Sequence, residues 1–252
     1  MENKNSLYTY TLRLADDSMI LGQRIGEWCG HGPILEEDIA LTNVALDLIG
    51  QATNFYEYAA AIANNGKTAD DLAFLRIERE FSNILLVEQP NGHYGDTIAR
   101  QFFFDTFRKL YFEQLIHSKD EQLSAIAEKS LKETKYHLKH SSEWMIRLGD
   151  GTEFSHDRIQ ESVNDLWAFT GELFYMDEVD RELIAQGIAV DLESLRQPWT
   201  DYVNMVFNEA TITKPASSWN HEGGRKGIHS EHMGFILAEM QYMQRAYPGM
   251  EW

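Results

Sequence analysis

Thr134 and His137 stand three residues apart on the apolar stripe of a predicted helix over residues 121–148. Positions i and i+3 of a helix project side by side, so a Glu and a His placed there can share one metal ion. Helical bundles that bind two irons use such Glu-x-x-His pairs. Here the His is present and the Glu is not, because Glu133 is rotated by about 100° from Thr134. The spacing therefore indicates either a varied metal site or the remainder of a lost one.

Asp105 is a second candidate, since it lies on the apolar line of a predicted helix over residues 96–117, with Asp96 as a plausible N-cap. Four phenylalanines surround it in the sequence, at positions 102, 103, 104 and 107. One interpretation is a surface pair with Lys109 at i+4. The other is a metal ligand or a member of a buried ionic network. The spacing alone leaves both open.

Polar residues also interrupt the predicted helix over residues 36–63. Gln51 lies within its apolar stripe, flanked by Asn43, Asp47 and Asn54. Buried amides and carboxylates need hydrogen-bond partners, so this seam predicts a polar network. The seam could instead face another subunit.

The remaining pattern is all-α, because five prolines leave long intervals that helices can occupy. Further helices are predicted over residues 7–28, 70–87, 156–176, 179–186, 192–208 and 231–246. We expect one domain over residues 1–252, in which residues 219–252 form a C-terminal docking tail and helix.

Composition excludes several classes of protein. The 252 residues carry 40 acidic and 22 basic side chains, and the resulting formal charge of −18 disfavours nucleic-acid binding. No window of 18 residues is free of charge, which predicts no membrane-spanning helix, and no signal peptide is evident, so a cytoplasmic location is expected. The single cysteine, Cys29, is expected to be a small buried thiol.

The tail contains a basic glycine-rich loop with Arg225 and Lys226, followed by His229 and His232. Such a loop can bind an anion through its backbone, but a surface turn before a docking helix is favoured because the loop lacks a Walker spacing. The two histidines could bind a metal at i and i+3. The docking interpretation is favoured there too, because no third ligand is evident.

Four segments carry a resemblance that extends over nearly the whole chain: LGQRIGEWCGHGPILEEDIALTNVALDLIGQATNF, FSNILLVEQPNGHYGDTIARQFFFD, LKETKYHLKHSSEWMIRLGDGT and GGRKGIHSEHMGFILAEMQYMQR. They resemble the smaller ferritin-like subunits of the bacterial ring 1,2-phenylacetyl-CoA epoxidases, which begin aerobic phenylacetate breakdown. The resemblance implies a ferritin-like four-helix bundle with additional C-terminal helices. It also implies a companion subunit of similar fold that holds two irons and performs the oxygen chemistry, while this chain is structural.

The resemblance also locates the metal-ligand positions of the catalytic subunits on this chain. The ligands of those subunits fall on Gln23, Leu48, Gln51, Asp105, Thr134 and His137. Only the aspartate and the histidine keep a competent side chain, and one carboxylate with one imidazole cannot hold two irons. We therefore expect no catalytic residue, no metal and no cofactor in this chain, which would be inactive alone, with the diiron centre in the partner subunit.

The six positions are expected to be filled instead by a polar network, in which Asp105 and His137 join Gln23, Gln51 and Thr134. Arg225 and Lys226 are expected to contact an anionic partner surface or the CoA phosphates. Phenylacetyl-CoA would contact this chain only within the complex. Whether the chain forms a homodimer is left open.

Two other functions compete with this interpretation. One is an independent diiron oxidase or oxygenase that uses a shifted ligand set, namely Glu27, Asp47, Asp105, Glu133 and His137. The other is a ferritin-like storage or binding protein, which ranks last because no acidic pore motif is recognisable.

Overall fold

The computed structural model of the chain describes residues 2–216 and 219–250, and these residues form helices and connections without a strand. The helices are α1 (Glu2–Gly26), α2 (Leu35–Ala63), α3 (Ala69–Phe74), α4 (Tyr94–Leu115), α5 (Glu121–Gly149), α6 (Glu153–Leu166), α7 (Glu178–Ala185), α8 (Glu193–Glu209), α9 (Glu231–Met240) and α10 (Tyr242–Ala246). The prediction of an all-α protein with a ferritin-like helical fold is confirmed. No helix in the described ranges combines the length and the apolar character that crossing a membrane requires.

The described residues form two compact units. The first unit comprises residues 2–89 and 223–250, and the second comprises residues 90–216 and 219–222. The expected docking tail is thus assigned to the first unit from residue 223 onward. The expectation of a single domain over the whole chain stays a prediction.

A long antiparallel pair, α1 and α2, forms the centre of the first unit. The two helices approach closely at Gly22, where an added Cβ would lie 3.1 Å from Cγ1 of Ile49 and 3.3 Å from Cβ of Leu48. Further along the pair, the Tyr56 hydroxyl donates a hydrogen bond of 2.7 Å to Oδ1 of Asp16. Glycine at the close contact therefore allows the helix axes to approach, and a buried carboxylate joins the helices elsewhere.

The predicted helix over residues 70–87 is wrong, because only α3 and two short 3₁₀ turns form there. Two backbone N–H groups between the 3₁₀ turns bond to carboxylates of α1 rather than to carbonyls of a continuous helix. The Ser82 N–H donates to Asp16 over 2.9 Å, and the Ile84 N–H donates to Asp17 over 3.0 Å. Backbone donors satisfied in this way do not need a helical partner, so the apolar periodicity misled the prediction.

In the second unit, α4 runs antiparallel to α5 and also packs on α6 and α8. The helix α4 begins two residues before the predicted start. Its N-cap is His93, whose Nδ1 accepts a hydrogen bond from the Asp96 N–H, while Asp96 accepts one from the His93 N–H over 2.9 Å. Asp96 is therefore the third residue of the first turn rather than the N-cap.

The phenylalanines of α4 pack in an aromatic core within the second unit. Phe103 contacts the rings of Trp167, Trp199 and Phe207 at centroid distances of 5.8, 6.0 and 6.2 Å. Trp199 also donates its indole N–H to the Phe103 carbonyl over 3.1 Å. The predicted helix over residues 156–176 ends at Leu166 and continues as two 3₁₀ turns, Trp167–Phe169 and Gly171–Phe174.

Candidate functional site

The six positions that correspond to metal ligands are distributed over both units. Gln23, Leu48 and Gln51 belong to α1 and α2 of the first unit. Asp105, Thr134 and His137 belong to α4 and α5 of the second unit.

In the first unit, the three positions present no charged group. Leu48 and Gln51 are each 1% exposed and lie on the buried side of α2. Gln23 is half-buried on α1, and its side-chain amide nitrogen lies 3.7 Å from the sulfur of Met19, a weak acceptor. An alkyl group and two amides are poor ligands for iron.

In the second unit, the Asp105 carboxyl group is buried and receives two hydrogen bonds. The Gln101 amide donates to Oδ1 over 2.7 Å from the preceding turn of α4, and the Ser141 hydroxyl donates to Oδ2 over 2.9 Å from α5. The alternative in which Asp105 pairs with Lys109 is wrong, since Lys109 forms an ion pair with Glu113 over 3.0 Å. Asp105 is thus buried and hydrogen-bonded to neutral donors, and its role as a metal ligand or as a member of an ionic network stays a prediction.

The environment of Asp105 raises its pKa. Burial opposes ionisation and lifts the pKa from 3.8 to about 7, although the nearby His137 and the hydrogen bonds from Ser141 and Gln101 act in the opposite direction. His137 and Thr134 are buried on the inward face of α5. Burial therefore favours the neutral form of the Asp105 carboxyl group relative to that of an exposed aspartate.

The shifted ligand set is divided between the two units, with Glu27 and Asp47 in the first and Asp105, Glu133 and His137 in the second. Across residues 2–216 and 219–250, no group of three or more His, Cys, Asp or Glu side chains is arranged so that it could hold a metal ion. Glu27 pairs with Arg24 over 2.9 Å at the surface, and Asp47 and Glu133 are half-buried. The donor set at the six corresponding positions is one carboxyl group and one imidazole, which does not fit a diiron centre.

A family described as phenylacetic acid catabolic protein matches residues 1–252. The chain belongs to the phenylacetic acid catabolic protein family. It is 53% identical, over 248 residues, to one of the subunits of the 1,2-phenylacetyl-CoA epoxidase of Escherichia coli (strain K12). That alignment covers 98% of this chain and 100% of the relative.

In this member of the phenylacetic acid catabolic protein family, the basic loop of the tail is an internal anchor. Arg225 donates two hydrogen bonds to Asp17, of 3.0 and 2.9 Å, and one of 2.8 Å to the Ser82 carbonyl. Its side chain is 9% exposed, whereas Lys226 is exposed. The Arg225 guanidinium already pairs with the Asp17 carboxylate. The expected contact with an anion stays a prediction, and the exposed Lys226 is better placed for it than Arg225.

The contacts of His229 agree with a docking tail rather than with a metal site shared with His232. His229 places Nδ1 2.5 Å from Oε1 of Glu88 and Nε2 3.0 Å from the Phe81 carbonyl. Both ring nitrogens face acceptor atoms, and although burial opposes the charged form, the hydrogen bonds to Glu88 and Phe81 raise the pKa of His229. Next to it, the Ser230 N–H and hydroxyl donate to Oε2 of Glu88 over 2.9 and 2.7 Å. His229 is therefore engaged by Glu88 and is not available to a metal shared with His232.

Several residues that form these contacts were not predicted from the sequence. Gln101 and Ser141 carried a local signal, because Gln101 precedes Asp105 by four residues and Ser141 follows His137 by four on the same helix face. The pairs Asp17–Arg225 and Glu88–His229 carried no local signal, since their members are 208 and 141 residues apart. The expectation that Cys29 is buried is wrong: it is exposed in the turn after α1 ends at Gly26.

Proposed function

We propose that this chain is a structural, non-catalytic subunit of a 1,2-phenylacetyl-CoA epoxidase, where it binds and stabilises a diiron catalytic subunit in aerobic phenylacetate breakdown. The similarity to a relative that is named as a subunit of that enzyme supports membership of such a complex. The observation that carries the non-catalytic role is the pair Leu48 and Gln51. An alkyl group and an amide stand, both buried, where a catalytic subunit would need a Glu-x-x-His pair.

The residues at the former ligand positions act in this proposal as a structural centre. Asp105 joins α4 to α5 through Ser141, and the buried Thr134 and His137 complete the polar face of α5. A buried polar group that is satisfied helps to specify one packing arrangement. The participation of Gln23 and Gln51 in the same network stays a prediction.

Substrate and metal belong to the partner in this proposal. The two irons would be held by the catalytic subunit, and phenylacetyl-CoA would meet this chain only within the complex. A homodimer of the chain is left open. A cytoplasmic location is expected because the sequence shows no signal peptide and no charge-free window of 18 residues.

Metal analysis of the purified chain and of its complex tests the proposal. We expect no stoichiometric iron in the chain alone, two irons per catalytic subunit in the complex, and joint elution of the two chains in gel filtration. Separate elution of the two chains would overturn the structural role. Two irons per chain, together with oxygen consumption by the isolated chain, would instead establish the independent oxidase.

A further inference from the structure

Helix α2 carries apolar side chains on two faces. Its inner face packs in the first unit through residues such as Leu41, Val44 and Leu48, which are at most 1% exposed. A second set, which we call the α2 outer face, comprises Leu35, Ile39 and Leu46, with Ile34 just before the helix. These four side chains are 73%, 53%, 62% and 52% exposed in that order.

The members of the α2 outer face form one stripe. The residues of the helix are spaced by four and seven positions, which places them within about 40° of one another around the axis. Single exposed apolar residues are normal on protein surfaces, but an aligned set on one helix face is typical of an interaction site. The stripe continues toward the C-terminal end of α2 with the exposed residues Thr53 and Glu57.

The charged residues of the segment that contains this stripe have one sign, with His neutral. No Lys or Arg occurs from residue 25 to residue 66, whereas the same segment contains six acidic residues: Glu27, Glu36, Glu37, Asp38, Asp47 and Glu57. Glu36 flanks the stripe at its beginning and Glu57 lies on it near its end, and both are exposed. An acidic apolar face is complementary to a basic apolar face.

We infer that the α2 outer face is the docking surface for a different subunit whose contact surface is apolar and basic, and this rests on the proposed function. The charge argues against a second copy of the chain as the occupant, because two copies meeting through this face would oppose acidic residues to acidic residues at a net charge of −18 each. A typical stable interface buries about 800 Å² on each partner. Four exposed aliphatic side chains therefore form the apolar centre of a larger contact.

The test measures the affinity of the full chain for the epoxidase catalytic subunit. The double variant Ile39→Asp, Leu46→Asp places charges at the centre of the stripe, and we expect it to bind at least about tenfold more weakly, as is common for central interface residues. The matched control is Phe154→Asp, which changes a side chain on α6 that is 72% exposed and should bind as the wild type does. Thermal melting of each variant checks that both remain folded.

A second pair of variants tests the sign of the charge. Glu36→Lys with Glu57→Lys should weaken binding by a factor that shrinks as salt is added, because the opposing charges become screened. Binding of the Ile39→Asp, Leu46→Asp chain with wild-type affinity would overturn the docking surface while leaving the proposed function intact. Failure of the wild-type chain to bind the catalytic subunit would overturn both.

Sedimentation of the chain alone tests the other possible occupant of the α2 outer face, which is a second copy of the chain. We expect the double variant and the wild type to have the same oligomeric state. A wild-type dimer that the variant dissociates would assign the α2 outer face to a second copy and would overturn the inference of a different subunit.

Discussion

The Ser141 hydroxyl donates a hydrogen bond of 2.9 Å to the buried carboxyl group of Asp105 and thereby joins α5 to α4. Asp105 also accepts from Gln101, so both of its oxygens have a donor in the second unit. A buried carboxyl group whose two oxygens both accept hydrogen bonds from the protein helps to hold the helices together. Its protonation then contributes to the free energy of unfolding.

Replacement of Asp105 by Asn should change how stability depends on pH. The folded pKa of about 7 lies above the ordinary value of 3.8, so the folded chain holds this proton more tightly than the unfolded chain. The contribution is fully present below pH 4 and is lost as pH rises through about 7. One pKa unit is about 1.4 kcal/mol, so the loss approaches about 4 kcal/mol.

Chemical denaturation of the wild type and of Asp105→Asn between pH 4.5 and 8.5 checks this. The wild type should lose stability relative to the variant over that range, because the Asn side chain cannot ionise. Parallel pH profiles for the two proteins would contradict the raised pKa.

Replacement of Ser141 by Ala should destabilise the second unit by about 1–3 kcal/mol, because it removes a donor from a buried carboxyl group. It should also raise the pKa of Asp105 further, since the Ser141 hydrogen bond lowers it. Denaturant titration at pH 8 measures the first effect. The control is Lys132→Ala on the exposed side of α5, which should change stability by less than about 0.5 kcal/mol.

Replacement of His229 by Gln should destabilise the first unit in a pH-dependent manner. The folded pKa of His229 is raised by its hydrogen bond to Glu88, so the stabilisation is fully present below the unfolded pKa of 6.5 and is lost as pH rises through the folded value. Breaking a buried ion pair costs about 3–5 kcal/mol. The difference between wild type and variant should therefore be largest at mildly acidic pH and should shrink on the alkaline side. A difference that does not vary with pH would argue for a neutral ring at this position.

Arg225 and Lys226 should behave differently although they are neighbours. Arg225→Ala removes the buried partner of Asp17 and should lower the melting temperature, whereas Lys226→Ala should leave it unchanged because the side chain is exposed. Turnover by the assembled complex then distinguishes a loss of stability from the loss of a contact with an anion. A loss of turnover with Lys226→Ala at unchanged stability would support the anion contact, and equal melting temperatures for both variants would contradict the anchoring role of Arg225.

The local pattern of the sequence was sufficient for the long helices. The apolar stripe of residues 121–148 predicts α5 almost to the residue, because helix packing repeats every 3.6 residues and leaves a periodic trace. The prediction that the ligand set is depleted rests on the residue types at Leu48, Gln51 and Thr134. A leucine side chain has no atom that binds iron in any fold, and a neutral amide and a hydroxyl are poor iron ligands, so this prediction did not depend on the tertiary structure.

Only the tertiary structure decided which distant groups satisfy one another. Asp16 and Asp17 accept the backbone donors of residues 82 and 84, so the apolar segment after α3 is not the helix that its periodicity predicted. Likewise, Glu88 meets His229 across 141 residues of chain, and Cys29 is exposed because α1 ends before it. Helical periodicity is a local property, whereas the partner of a buried polar group is selected by the packing of the whole unit. The sequence alone therefore determined the long helices such as α2 and α5, and only the tertiary structure decided these contacts.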